Sequence, residues 1–406
     1  MAYITRDLES VVLDISCDYA CILVIGPRQV GKTTMLRHLD SDRDFVTLDD
    51  LENRSLAKRD PEFFLQSHPA PVLIDEVQYA PELFPYLKMA IDSGALPGSF
   101  WLTGSQSFRM MELAQESLAG RTAILHMPSL SQHELYGSGP AMPLSLDIDA
   151  LHQRQSKMEP ASVSEMFERI WRGSMPGHAS GKFRNREVFY GSYVDTYIER
   201  DVTDEIPGVD RPRFRDFVRA AACRVGQLLS VHDIARDVDV ADNTAKRWLR
   251  VLERSEIIHF LRPYSNNLLK RTVKTPKLYF FDTGLVAYLT RYSSPEILQN
   301  GALAGDIFEN YVVNEVLKGY KNAGTECLLW YYRDMDAREI DMVLEANGTL
   351  HPLEIKKSAS PAARSTFAFR QLDKASMPRG VGAVVCMKPR VTPISREVTL
   401  IPAWTL

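Results

Sequence analysis

The five apolar residues Cys21–Ile25 run without a break into Gly26-Pro27-Arg28-Gln29-Val30-Gly31-Lys32-Thr33-Thr34, and the following stretch, MLRHL, reads as helix. A short unbroken apolar run suits a strand buried on both faces, as parallel sheets require. The nine residues after it have the spacing G-x-x-x-x-G-K-[ST], in the order strand, loop, helix. Gly26 and Gly31 permit backbone angles that a side chain would block. The loop amides are then expected to turn inward around phosphate oxygens, helped by the helix N-terminus. Lys32 is expected to reach the β- and γ-phosphates of ATP, and the Thr33 hydroxyl to bind Mg²⁺. Residues 26–34 together form the expected ATP-binding loop.

A second apolar run, Pro71-Val72-Leu73-Ile74-Asp75-Glu76, ends in two carboxylates. In doubly wound sheets the C-terminal edge of the strands is where ligands bind. Asp75 is therefore expected in the Mg²⁺ shell, and Glu76 is expected to orient or deprotonate the attacking water. A third run, Phe100-Trp101-Leu102-Thr103-Gly104-Ser105, closes on small polar residues, and Ser117-Leu118-Ala119-Gly120-Arg121 precedes a further apolar strand, TAILHM. Here the sequence resembles the AAA+ ATPases, in the prokaryotic branch that reads LTGS and then LAGR. The resemblance implies a γ-phosphate sensor at Ser105, with Thr103 as second choice. It also implies a trans-acting arginine finger at Arg121, with Arg109 as fallback, and hence a homo-oligomer. No second sensor arginine is found in a helical lid.

The 406 residues suffice for two or three domains, and 45% apolar with 25% charged residues is ordinary globular composition. No uninterrupted apolar window of membrane-spanning length occurs, so no membrane association is expected. The N-terminus lacks a signal-peptide pattern. The five scattered cysteines are expected to be reduced thiols in a cytoplasmic protein. The net charge of −4 hides an acidic first part and a basic stretch over residues 171–275. A basic middle suits an anionic partner.

Residues 137–160 read as a surface connection. From Glu187 to Asp204, Tyr190, Tyr193, Val194, Tyr197 and Ile198 recur at helical spacing, as in a buried stripe. In residues 228–281 a short helix with Ile234 and Val238 inward precedes a tight connection around Asp239–Asp242. A second helix, Asn243 to about Ser255, follows with Asp242 as N-cap and Ala245, Leu249 and Leu252 inward. Ile257–Leu261 and Lys277–Phe281 read as strands around a loop with Asn266, Asn267, Lys270, Arg271 and Lys274. This resembles a winged-helix domain. The resemblance implies DNA contacts from Thr244, Lys246, Arg247 and Arg250 on the second helix and from Lys270 and Arg271 on the wing. Winged helices also serve as interdomain or dimer modules.

In the last hundred residues a helix of roughly Ala304–Tyr320 carries Glu309 and Glu315. Strand-like runs follow at Cys327–Tyr332, Arg338–Leu344 and Pro352–Lys357. Glu354 and Lys356 share one strand face, and Asp341 on the neighbouring strand could lie beside them. Two carboxylates and a lysine suit a divalent cation that activates water. This resembles the PD-(D/E)xK nuclease fold, which matches Asp341, Glu354, Lys356 and, on the first helix, Glu309. It implies a second divalent metal, Mg²⁺ or Mn²⁺. The residue before Asp341 is Ile340, where that family usually has proline.

The expected organisation is α/β throughout. It comprises an AAA+ P-loop parallel-sheet domain (1–140), a helical linker or lid (141–215), a winged helix-turn-helix (216–285) and a nuclease-like domain (286–406). The order resembles a widespread family of prokaryotic ATPases whose C-terminal domain has no settled role. Two functions stay open: an ATPase acting on or near DNA, with or without DNA cleavage, and a nucleotide-controlled regulator or scaffold that binds a partner protein.

Overall fold

The computed structural model describes residues 3–104, 116, 118–198, 206, 208–266 and 275–406. Its N-terminal part is built on five parallel strands: β1 (Cys21–Ile25), β2 (Asp44–Thr47), β3 (Val72–Asp75), β4 (Phe100–Gly104) and β5 (Thr122–His126). Their spatial order is β2-β3-β4-β1-β5. β1, β3 and β4 are buried along their whole length, which is why they read as unbroken apolar runs. One face packs Leu23, Ile74 and Leu102 on Phe64, Phe84 and Leu87. The other packs Ile22, Val24 and Trp101 on Leu8, Met35 and Leu36. The phosphate loop leaves the end of β1, and the helix Lys32–Leu39 begins immediately after Gly31.

Among the described residues, the rest of the chain contributes one eight-stranded sheet. Its strands are β6 (Ile258–Pro263), β7 (Lys277–Phe280), β8 (Leu328–Arg333), β9 (Glu339–Ala346), β10 (Thr349–Lys356), β11 (Gly382–Cys386), β12 (Thr392–Pro393) and β13 (Val398–Pro402). The order is β12-β13-β11-β10-β9-β8-β6-β7. β9 and β10 form a hairpin whose turn residues Asn347 and Gly348 both have positive φ, as a tight two-residue turn requires. The hairpin β6–β7 joins this sheet through parallel pairing of β6 with β8, Arg262 opposite Trp330 and Pro263 opposite Tyr331. One large hydrophobic core draws residues from Leu144 to Leu406, so packing is continuous across residues 215 and 285, with two smaller clusters around Ile340 and Val384.

Two helices, Val231–Asp237 and Asp242–Arg254, pack together, the second of them against β6. Ala245, Leu249 and Leu252 are buried as expected, together with Trp248 and Val251. Asp242 is the first helical residue rather than the cap. Ala241 occupies the cap position, and no side chain caps this helix end. The helical stripe at Tyr190 becomes a π-helix over Val194–Ile198. The long helix Ala304–Asn322 carries an unusual number of buried polar groups: Asn310, Asn314, Glu315, Lys318 and Asn322. The five cysteines are free thiols. Among the described residues no helix is long and apolar enough to cross a membrane.

Candidate active site

The phosphate loop is held by backbone geometry that its glycines make accessible. Gly26 has φ 154, and a Cβ there would fall 2.2 Å from the Met127 carbonyl oxygen of the neighbouring chain segment. Gly31 has φ 95, and Gln29 also adopts a positive φ of 64. From behind, the buried Arg6 guanidinium donates to the Val30 and Pro128 carbonyls, both at 2.8 Å, and to Glu134 Oε1 at 2.8 Å. Sequence reading passed over Arg6, which has no local motif; its partners lie 24 to 128 residues away.

Lys32 is buried, and its ammonium donates to the carbonyls of Gly26 at 3.0 Å and Pro27 at 2.9 Å. Burial lowers its proton affinity; the charges of Glu76, Glu256 and Asp75 oppose that shift. Two strands away, Asp75 ends β3. Its Oδ1 accepts from the Thr33 hydroxyl at 2.5 Å and from the Thr103 hydroxyl, and its Oδ2 accepts from Thr47 at 3.2 Å. β4 lies between β1 and β3, so Thr103 fills the gap between phosphate loop and carboxylate. Thr103 Oγ1 also accepts the Glu76 amide at 3.2 Å. Glu76 sits in the left-handed region, φ 58 and ψ 43, and accepts from Gln78 Nε2. A non-glycine residue there costs about 1 kcal/mol or more, a cost typically retained at working sites.

These groups border a cleft of about 630 Å³ lined by Gly31, Lys32, Thr33, Thr34, Arg28, Gln29 and Glu76. Its opposite wall is Pro176, Gly177, Ser180, Lys182 and Phe183, from outside the five-stranded sheet. Lys182 and Phe183 have no sequence motif, and only the fold brings them to the loop. Thr33 and Asp75 present hard oxygen donors in contact with each other, a donor set that suits Mg²⁺.

The expected sensor Ser105 and the fallback Arg109 lie outside the described residues. Arg121 is described, at the start of β5, where Thr122 pairs with Cys21. It forks onto Asp92, with Nε at 2.5 Å from Oδ1 and the terminal nitrogen at 3.2 Å from Oδ2. The phosphate loop leaves the opposite end of the same strands, roughly 13 Å away at ~3.3 Å per residue. Arg121 therefore does not serve the phosphate loop of its own chain.

Residues 18–136 match the AAA domain. Sequence motif, parallel sheet and this match agree on a nucleotide-binding P-loop ATPase domain. Residues 163–296 match a domain of unknown function, DUF8612, and residues 304–406 another, DUF4143. Over 390 residues the chain is 28% identical to the uncharacterized proteins Rv2008c of Mycobacterium tuberculosis and Mb2031c of Mycobacterium bovis. Each alignment covers 94% of this chain and 80% of the relative. Among solved structures, a Walker-type ATPase of Pyrococcus abyssi is similar at 16% identity and a TM-score of 0.42, covering 70% of this chain and 94% of that one.

In the second sheet the structure brings Asp341, Glu354 and Lys356 together. The register that sets Leu353 opposite Met342 carries Glu354 to Asp341 one residue on. Lys356 Nζ lies 2.8 Å from Asp341 Oδ2 and 2.6 Å from Glu354 Oε2, and the Ile355 amide donates to Asp341 Oδ2 at 2.8 Å. Burial, reinforced by the Asp341 charge, pushes the Glu354 carboxyl up to about 8. Glu309 lies on the long helix, within reach of the Asp341 charge. Its Oε1 accepts from Lys277 Nζ at 2.9 Å and from Tyr279 at 2.6 Å, and Lys277 also meets Glu339 at 2.6 Å. Among the described residues no group of three or more His, Cys, Asp or Glu side chains is arranged to hold a metal ion. The expected second metal thus has two carboxylates here, both already bound to Lys356.

Of the expected DNA contacts, Lys246, Arg247 and Arg250 are exposed along one helix and Thr244 is half-buried. Lys270 and Arg271 lie outside the described residues.

A partly buried junction built on Glu256 adjoins the phosphate loop, Glu256 and Pro27 lining one small cavity. Glu256, with φ 51, lies two residues beyond the helix Asp242–Arg254. Its Oε1 accepts from Lys321 Nζ at 3.0 Å and lies 3.3 Å from His126 Nδ1. Burial alone would raise its carboxyl, but Lys321 and His126 outweigh it and bring it down to about 2.

Proposed function

We propose that the chain is a Mg²⁺-dependent ATPase that acts on or near DNA. The observation that carries the ATPase reading is the contact of Thr33 and Thr103 with Asp75 beside the buried Lys32. Lys32 and the loop amides would bind the β- and γ-phosphates. Thr33 and Asp75 would hold Mg²⁺, which offsets phosphate charge when bound. Glu76, at the mouth of the cleft, would orient the attacking water, and Thr103 would keep Asp75 and Glu76 in register. Ser105 remains a proposed sensor. Arg121, remote from its own loop, would act on a neighbouring copy in a homo-oligomer.

The DNA part of the reading rests on the exposed Lys246, Arg247 and Arg250 on one helix. Purified protein should bind duplex DNA with an affinity that falls as salt rises. Replacing all three residues by alanine should flatten the log–log salt slope by about 2 to 3, near 0.9 for each phosphate no longer neutralised. Binding that ignores salt, or an unchanged slope in the triple variant, would exclude this surface and favour a protein partner. ATP turnover with and without single-stranded, duplex and branched DNA tests the combined reading.

A second reading adds DNA cleavage by Asp341, Glu354 and Lys356, favoured by their convergence on adjacent strands. Plasmid incubated with Mg²⁺ or Mn²⁺ should be nicked by the wild-type chain and not by Asp341→Ala. Equal nicking by both, or none by either, removes this reading.

A further inference from the structure

We propose that Glu256 is a positioning residue of the nucleotide site, supplied from outside the AAA domain, whose charge opposes phosphate binding and is restrained by Lys321. This rests on the nucleotide-binding reading above. Glu256 is only 7% exposed, and its Oε2 is buried and makes no hydrogen bond. Pro27 of the phosphate loop and Glu256 line one small cavity, together with Ser129 and Asp282. The carbonyl of that same Pro27 accepts the Lys32 ammonium at 2.9 Å. The phosphate-binding cation and the buried carboxylate are therefore neighbours across one proline. His126, the second partner of Glu256, pairs with Ile25, the residue before Gly26.

A nucleotide brought to Lys32 sets several negative charges close to Glu256. Glu256 itself is buried, so its repulsion across the cavity is only partly screened by water. Lys321 opposes it by neutralising Glu256 from the long helix Ala304–Asn322. The junction joins the end of β5, the turn after Asp242–Arg254 and the end of that long helix. Nucleotide arrival loads all three at once, and linkage requires that a change at any of them alters nucleotide affinity in return.

Calorimetry with MgADP on the full chain, beside thermal melting, tests this. Glu256→Gln keeps the shape and removes the charge, and it should bind MgADP roughly five-fold tighter. Lys321→Met removes the compensating charge and should bind roughly five-fold weaker, a factor set by one unit charge at this range. Both should melt at lower temperature, because each breaks a part-buried pair. The double variant should return toward wild-type affinity. A merely structural role would shift both single variants in the same direction. That outcome, or changes below about two-fold in both, overturns the proposal. Lys321→Arg keeps the charge and should bind like wild type even where Lys321→Met does not fold; markedly weaker binding by a folded Lys321→Arg also counts against it. Failure of the wild-type chain to bind MgADP would instead remove the nucleotide reading itself, and this proposal with it.

Discussion

Replacing Lys32 by alanine is expected to reduce ATP turnover on the order of 10²–10³-fold, the usual cost of losing one preorganised charge donor in a phosphoryl-transfer site. The ammonium is buried and already held at the loop by the Gly26 and Pro27 carbonyls, so its charge is fixed beside the expected phosphate position. Glu76→Gln should separate binding from chemistry. Glutamine keeps the side-chain shape but cannot take a proton, so nucleotide affinity should stay near wild type while turnover falls by about 10²-fold or more. Steady-state turnover and MgADP calorimetry on the same preparations check both. Normal turnover in either variant would remove the assigned role. Loss of binding in Glu76→Gln would show that the carboxylate serves nucleotide binding as well as chemistry.

Lys277→Met should lower the unfolding free energy by about 3–5 kcal/mol, the cost of leaving buried charge unpaired. Lys277 is 3% exposed and is the shared partner of Glu309 and Glu339. The penalty should depend on pH. Burial first, and then the Asp341 charge, hold the Glu309 carboxyl at about 7 despite Lys277. A carboxyl raised in the folded state keeps its proton while the unfolded chain has already released it. Its stabilising effect is therefore full below the ordinary value of 4.5 and is lost as pH rises through about 7. Without the ammonium, Glu309 holds its proton more tightly still, and the loss is steeper. Denaturant unfolding should show a smaller deficit for Lys277→Met at pH 5 than at pH 8, and Glu309→Gln in the same chain should recover part of it. A deficit independent of pH would mean that lost packing, not charge, dominates.

The parts of the fold that sequence displayed were those with local cause. The phosphate loop needs glycines at fixed spacing. The strands ending at Asp75 and Gly104 are buried on both faces and so must be continuously apolar. The helix Asp242–Arg254 showed its inward stripe, although Asp242 is its first helical residue and the cap position one place earlier holds Ala241, which has no side chain able to cap. What stayed hidden was long-range. Arg6, Lys182 and Glu256 reach the nucleotide loop only because separate segments meet there, and none carries a pattern of its own. Thr103, whose small hydroxyl ranks behind Ser105 on sequence position, is the residue seated between Asp75 and Glu76. In the C-terminal sheet, alternation along β10 pointed correctly to Glu354 and Lys356 sharing a face. It could not show that Lys277, over thirty residues before Glu309 in the chain, would claim that glutamate.

The parallel pairing of β6 with β8 has a practical consequence for anyone dissecting the chain. A fragment that begins at residue 304, where the last matched domain starts, discards β6 and β7 and strips one side of β8 of its hydrogen-bond partners. Such a naked border recruits strands from other copies. Trimmed pieces should therefore polymerise or fall out of solution, while pieces that retain residue 258 onward keep that border covered.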